Sequence, residues 1–178
     1  VVGFLFYSFP VIWPYLISEL GMTESQLGMV SAFYFIPVAV LAIIVGRALD
    51  KYSVKNFMMI GAIIYAVGLF SLSFINSYWS LLTIYLTILA LGSIMMGNLA
   101  VSKLIANWFD KNAGRALGIA AIGISFSGVI LPLIVDPLLE LVGWRNVYII
   151  FASIVFFIIL PLVFFTVIDD PKTVNQVK

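Results

Sequence analysis

The sequence predicts an all-α transmembrane protein, a six-helix bundle, on three observations. First, 63% of its 178 residues are hydrophobic and only 10% are charged, whereas average soluble domains are about 45–50% apolar and about 25% charged. Too little polar surface remains to cover a globule in water. Second, the charges divide the chain into uncharged runs of the length that crosses a hydrocarbon core, roughly 20 residues. Third, Lys and Arg collect between alternate runs, the pattern that orients helices in a membrane.

The runs follow in order. Residues 1–18 are uncharged up to Glu19, and 25–46 lie between Glu24 and Arg47. The run 56–102 is too long for one helix and right for two joined by a short turn. Asn76-Ser77 supplies the turn signal, with Tyr78 and Trp79 placed as interfacial aromatics. Two more runs, 116–135 and 146–168, complete six. The expected spans are 1–18, 25–46, 56–75, 79–103, 114–136 and 146–168, with no separate soluble domain. The chain opens on Val1 inside an apolar run, with no charged segment before it and no small-residue cleavage site after it. It reads as a cut or incomplete N-terminus and not as a signal peptide.

Orientation follows from the basic residues. Arg47, Lys51 and Lys55 follow span two, Lys103, Lys111 and Arg115 surround the loop after span four, and Lys172 and Lys178 follow span six. The opposite side holds only Arg145. Both termini are therefore expected in the cytoplasm, in a plasma or inner membrane.

Composition also excludes. A net charge of +1 lacks the basic footprint of a nucleic-acid partner. With no Cys and no His, disulfides, thiol chemistry, most zinc sites and a His general base are absent. No Asp, Glu, Lys or Arg stands near the middle of a span, so neither a buried proton relay nor an enzyme's activated nucleophile can be assembled. The sequence therefore predicts no enzyme, no cofactor and no metal.

Within the spans three features stand out. Span one carries Tyr7, Ser8, Pro10, Pro14 and Tyr15, and its prolines free backbone carbonyls that neighbours or cavity water must satisfy. Such kinks suit a moving helix and are also common in membrane helices generally. In span five, Gly114, Gly118, Ala121, Ser125, Gly128 and Pro132 recur at steps of three and four. They form one stripe of small residues on a helical face, the kind that permits close helix packing and, less commonly, ligand contact. In span four, Asn98 is an amide inside an apolar run, and it must face either a partner helix or a cavity.

The loop Gly46-Arg47-Ala48-Leu49-Asp50-Lys51-Tyr52-Ser53-Val54-Lys55 resembles the signature G-x-L-A-D-R-x-G-R-K that lies between the second and third helices of major facilitator transporters. Gly46, Asp50, Lys51 and Lys55 match in identity or charge, while Ser53 and Val54 replace the pattern's Gly and Arg. The first external loop, 20–28, is similar to the family's, as are Asn107-Trp108-Phe109 with 114–118, and Gly143-Trp144-Arg145 before the sixth helix. The resemblance implies the N-terminal half, two three-helix repeats, of a twelve-helix major-facilitator fold. Its partners would be a small-molecule substrate, membrane lipid, and the missing six-helix half of the same chain or a second copy. Spans four to six are most similar to the monocarboxylate and oxalate/formate carrier branch. That implies a small organic anion moved by symport or exchange.

The resemblance also assigns roles. Gly46, Arg47, Asp50, Lys51 and Lys55 would form a conformational latch, with Asp50 accepting hydrogen bonds from the absent half. Arg47, Lys51 and Lys55 would also meet anionic lipid heads. Tyr7, Tyr15, Tyr34 and Asn98 would line the cavity. The alternatives are a carrier of another solute (a sugar or a drug), a six-span channel, or a homodimeric half-transporter. No Asn-Pro-Ala tripeptide supports an aquaporin-like pore.

Overall fold

A computed structural model describes residues 2–109 and 112–169. Lys111, Lys172 and Lys178, which the sequence places on the basic side, lie outside them. Among the described residues every regular element is helical.

Span one is two helices, α1 (Val2–Phe6) and α2 (Phe9–Leu20). The break at Tyr7–Ser8 has a local cause. Pro10 has no N–H for the Phe6 carbonyl, and the Ser8 hydroxyl turns back onto the Phe4 carbonyl. Gly21, with φ 62°, ends α2 in the left-handed conformation, its N–H on the Ile17 carbonyl at 3.1 Å. Span two is α3 (Glu24–Leu49), opened by a reciprocal Thr23–Gln26 capping box. Span three is α4 (Val54–Leu72), capped by Ser53 on the Asn56 N–H at 3.2 Å.

Span four is interrupted twice. It runs through α5 (Tyr78–Ile84), a π-helical turn at Tyr85–Leu89, α6 (Ala90–Met96), a break at Gly97, and α7 (Asn98–Trp108). The last helical run, α8 (Ala113–Ile154), continues through a second π turn (Val155–Ile159) into α9 (Leu160–Thr166). Gly143, at φ 77° and ψ 159°, breaks α8 with a backbone geometry that only glycine adopts readily. Span five is thus 113–142 and span six 144–166. The turn falls at Gly143 itself, not across the whole stretch 136–146 that the charge pattern left open.

Four helical runs are long and apolar enough to cross a membrane: Glu24–Leu49, Val54–Leu72, Tyr78–Trp108 and the 54-residue run Ala113–Thr166. The last folds back on itself, because its Gly143 end meets Glu19 and Ile75 while Ile168 meets Trp108. With α1–α2 the bundle has six antiparallel limbs and two ends. One end gathers Glu19, Ile75 and Arg145; the other gathers Asp50, Lys55, Lys103 and Asp169.

The core runs along spans three and four. A Cβ on Gly92 would stand 2.7 Å from the Tyr65 backbone nitrogen, and one on Gly61 would stand 2.7 Å from the Met95 Cβ. Backbones this close exclude any side chain and maximise dispersion contact. Around the seam lie fully buried Tyr65, Leu69, Leu89 and Tyr148. Large apolar side chains such as Ile43, Ile119, Leu133 and Phe157 point outward, as a lipid solvent requires.

Candidate substrate cavity

Three of the four expected lining residues meet. Tyr7 from the break in span one, Tyr34 from α3 and Asn98 at the start of α7 surround a cavity of about 300 Å³. Ser93, two turns into the inner part of span four, completes its polar wall. The Tyr34 hydroxyl donates to the Ser93 oxygen at 2.6 Å, and Ser93 donates to the Ala90 carbonyl at 2.9 Å. Tyr34 is 7% exposed, so this pair is fixed in a dry setting, where a hydrogen bond is electrostatically stronger. Asn98 is exposed to the cavity side because Gly97 ends α6 one residue earlier and restarts the helix. Tyr15 is not part of this wall; eight residues on from Tyr7, it lies roughly 80° further round the helix.

A second cavity of about 270 Å³ adjoins the first through shared Phe6, Tyr34 and Phe35. Its other walls include Phe9, Trp13 and Tyr85. Phe9 and Tyr85 are packed at 4.7 Å between ring centroids, and Tyr34 meets Tyr85 edge-on at 6.2 Å. The Trp13 Nε1 is buried without a hydrogen-bond partner, and the buried Tyr85 and Tyr148 hydroxyls lie beside each other. The Tyr65 hydroxyl is engaged with the Leu5 backbone. Sequence reading missed Ser93 and this aromatic wall. A signal existed, since Phe6, Phe9 and Trp13 recur at steps of three and four, but the interruption at Ser8 hides it. A third cavity, about 490 Å³, lies between part of span five and its neighbours and is lined in part by Asn98, Ser102, Ala121 and Ser127.

The small-residue stripe behaves otherwise than packing predicts. Gly114, Gly118, Ala121 and Ser125 are exposed, and a Cβ at Gly114 or Gly118 would meet nothing within 4 Å. Gly128 alone is closely packed, with the Tyr7 ring at 2.9 Å from its would-be Cβ, and Pro132 is half-buried. The stripe therefore lies mostly on a face that this chain does not cover.

At the Asp50 end, the latch residues find partners within this half. Asp50 accepts from Lys103 at 2.6 Å, tying span two to span four. Both side chains are substantially exposed, and such pairs contribute about 0–1 kcal/mol. Asp169 accepts from the Lys55 N–H at 2.8 Å, and the Lys55 ammonium sits 4.8 Å over the Phe164 ring. Arg47 and Lys51 project outward. A Cβ on Gly46 would make only an ordinary 3.8 Å contact with Leu99, so no close approach within this half requires glycine there.

At the other end Glu19, which sequence reading did not single out, accepts from Trp144 Nε1 at 2.9 Å and from Arg145 at 2.6 Å. Arg145 also reaches the Ile75 carbonyl at 3.4 Å and lies 4.1 Å over the Trp144 ring. The Trp144 hydrogen bond first, and then Arg145, holds the Glu19 carboxyl below its ordinary pKa. This clasp joins spans one, three and six.

Comparison with known proteins extends over the same elements. A sequence model of the Major Facilitator Superfamily matches residues 1–178. A protein named MFS-type transporter 1 from Ophiocordyceps sp. is 28% identical over 79% of this chain and 31% of its own length. A riboflavin transporter of Saccharomyces cerevisiae is 26% identical over 61% of this chain and 21% of its own. A protein of Cupriavidus necator named as a probable sulfoacetate transporter is 26% identical over 79% of this chain and 33% of its own. The chain spans a third or less of the length of these relatives.

Proposed function

Because this chain belongs to the Major Facilitator Superfamily, we propose that it forms the N-terminal six-helix half of a secondary transporter. The cargo is a small organic anion, such as a monocarboxylate or oxalate, moved by symport or exchange through alternating access. The observation that carries the reading is convergence: Tyr7, Tyr34, Ser93 and Asn98 meet at one cavity in an otherwise apolar bundle. Lipid-facing helices have no use for polar groups there, so a solute pathway is the economical account. The likeness to a sulfoacetate transporter supports an anion, as do the major-facilitator motifs of spans four to six. The cavity wall is neutral, so cations that neutralise the anion belong to a second six-helix unit, the rest of the chain or another copy.

Five basic residues, Arg47, Lys51, Lys55, Lys103 and Arg115, stand at or beside the Asp50 end. That end is the cytoplasmic one in this proposal, with anionic lipid heads against Arg47 and Lys51. The Asp50–Lys103 pair is the latch, exposed enough to exchange partners as the two halves rock. The likeness to a riboflavin transporter favours a second reading, a carrier of another solute on the same scaffold.

Uptake of radiolabelled acetate, formate, oxalate and benzoate by the full-length transporter in proteoliposomes tests the anion. Saturable uptake or counterflow of at least one is expected. Rates equal to those of protein-free vesicles for all four would sink it.

A further inference from the structure

From the two adjoining cavities we infer that the substrate is a ring-bearing organic acid, larger and more amphipathic than formate or oxalate. The inference rests on the anion reading and narrows it. The cavities divide the wall by chemistry. Around one lobe stand Phe6, Phe9, Trp13, Phe35 and Tyr85; around the other, Tyr7, Ser93 and Asn98. Tyr34, Phe6 and Phe35 line both, so the two lobes adjoin at these three side chains.

Size excludes the smallest anions as a good fit. An apolar cavity of about 150 Å³ accepts a benzene ring, and the aromatic lobe alone measures about 270 Å³. The two lobes together fall within the about 300–1,000 Å³ of ordinary ligand pockets. A formate or oxalate ion would leave most of this volume to water against aromatic faces, which is unfavourable. Ring faces are instead matched by a ring, offset-stacked or edge-on.

Polarity fixes the orientation. The apolar lobe offers ring faces in place of hydrogen-bonding groups. The acid group points to the other lobe, where the Asn98 amide and Tyr7 hydroxyl stand beside the Tyr34–Ser93 pair and toward the cations of the second six-helix unit.

Binding of benzoate, phenylacetate, acetate and formate to the purified full-length transporter tests the inference, by calorimetry and by thermal shift. Benzoate or phenylacetate should bind at least tenfold more tightly than acetate. Phe35→Ala, an exposed residue common to both lobes, should remove that preference. Trp13→Leu, which removes a ring that lines only the aromatic lobe, should lower ring-acid affinity. Equal binding of acetate and benzoate would overturn the inference and leave the anion reading standing. That result would mean the second half fills the aromatic lobe with its own side chains. No response to any of the four acids would overturn both.

Discussion

Two glycine-bearing faces of this bundle look alike in sequence and differ completely in use. Along spans three and four, Gly61, Gly68 and Gly92 sit where a Cβ would meet Met95, Leu89 and the Tyr65 backbone at 2.7 Å. Along span five, Gly114, Gly118 and Gly123 have nothing within 4 Å, and a cavity of about 490 Å³ runs beside Ala121. The first face is a closed seam within the bundle. The second has no cover among the described residues. If two halves rock against each other as proposed, the packed seam is the part that stays fixed and the open face is the part free to slide.

The sharpest way to break that comparison is one methyl group on each face. Gly92→Ala has no space and no flexible neighbour to yield, so overpacking should destabilise the protein by about 1–3 kcal/mol. Gly118→Ala meets open space and gains helix propensity, so it should be neutral or stabilising by up to about 1 kcal/mol. Thermal unfolding of the full-length protein in detergent reads both. A loss at Gly118 equal to that at Gly92 would mean that the span-five face is packed as tightly by something beyond this chain.

The second test takes the proposed latch at the Asp50 end. Asp50→Ala removes an exposed pair worth about 0–1 kcal/mol, so melting should scarcely change and membrane insertion should be normal. Transport should nevertheless fall tenfold or more if the pair, which ties span two to span four, is the proposed latch. Unchanged flux would reduce the pair to a surface contact.

These contrasts also mark what the sequence could disclose. Six spans were legible because Glu19, Arg47, Asp136 and their neighbours bracket apolar runs, and charge is excluded from hydrocarbon wherever the helix goes. The stripe from Gly114 to Pro132 was legible as one face, since periodicity reports which residues point together. It cannot report whether anything covers that face, and here the covered glycines were Gly61, Gly68 and Gly92. Tyr7, Tyr34 and Asn98 were legible as polar residues in apolar helices. Tyr15 shared that description, but its place eight residues beyond Tyr7 turns it to another side of the helix. Long-range partners such as Glu19 with Arg145, or Asp50 with Lys103, leave no local pattern at all, because their pairing depends on how the ends of distant helices meet.

A smaller effect is expected at the cavity, between the two faces. Asn98→Ala deletes one neutral hydrogen-bonding group, worth about 0.5–1.5 kcal/mol, and should raise the apparent KM roughly two- to tenfold with little change in melting. Tyr34→Phe should raise KM as well and also lower stability, since the Tyr34–Ser93 bond is buried. Alanine at Tyr7, Tyr15, Tyr34 and Asn98 with KM unchanged throughout would refute the lining assignment.

The smallest effect belongs to the closed side, at the Glu19 clasp. Its carboxylate takes hydrogen bonds from Trp144 and Arg145, which hold its folded pKa below the unfolded value. A depressed pKa means that the unfolded chain binds the proton more readily, so the clasp stabilises fully above the ordinary carboxylate range, near pH 4.3. Its contribution fades as pH falls through the lower, folded value. Half-exposure of Glu19 keeps it below about 1 kcal/mol. Glu19→Gln should therefore melt slightly lower than the native protein at pH 7, and the two curves should converge in acid. A gap that stays constant down to pH 3 would assign the difference to shape instead of charge. Transport by Glu19→Gln at pH 7 should remain near native, because the clasp joins spans one, three and six at the end opposite the proposed latch.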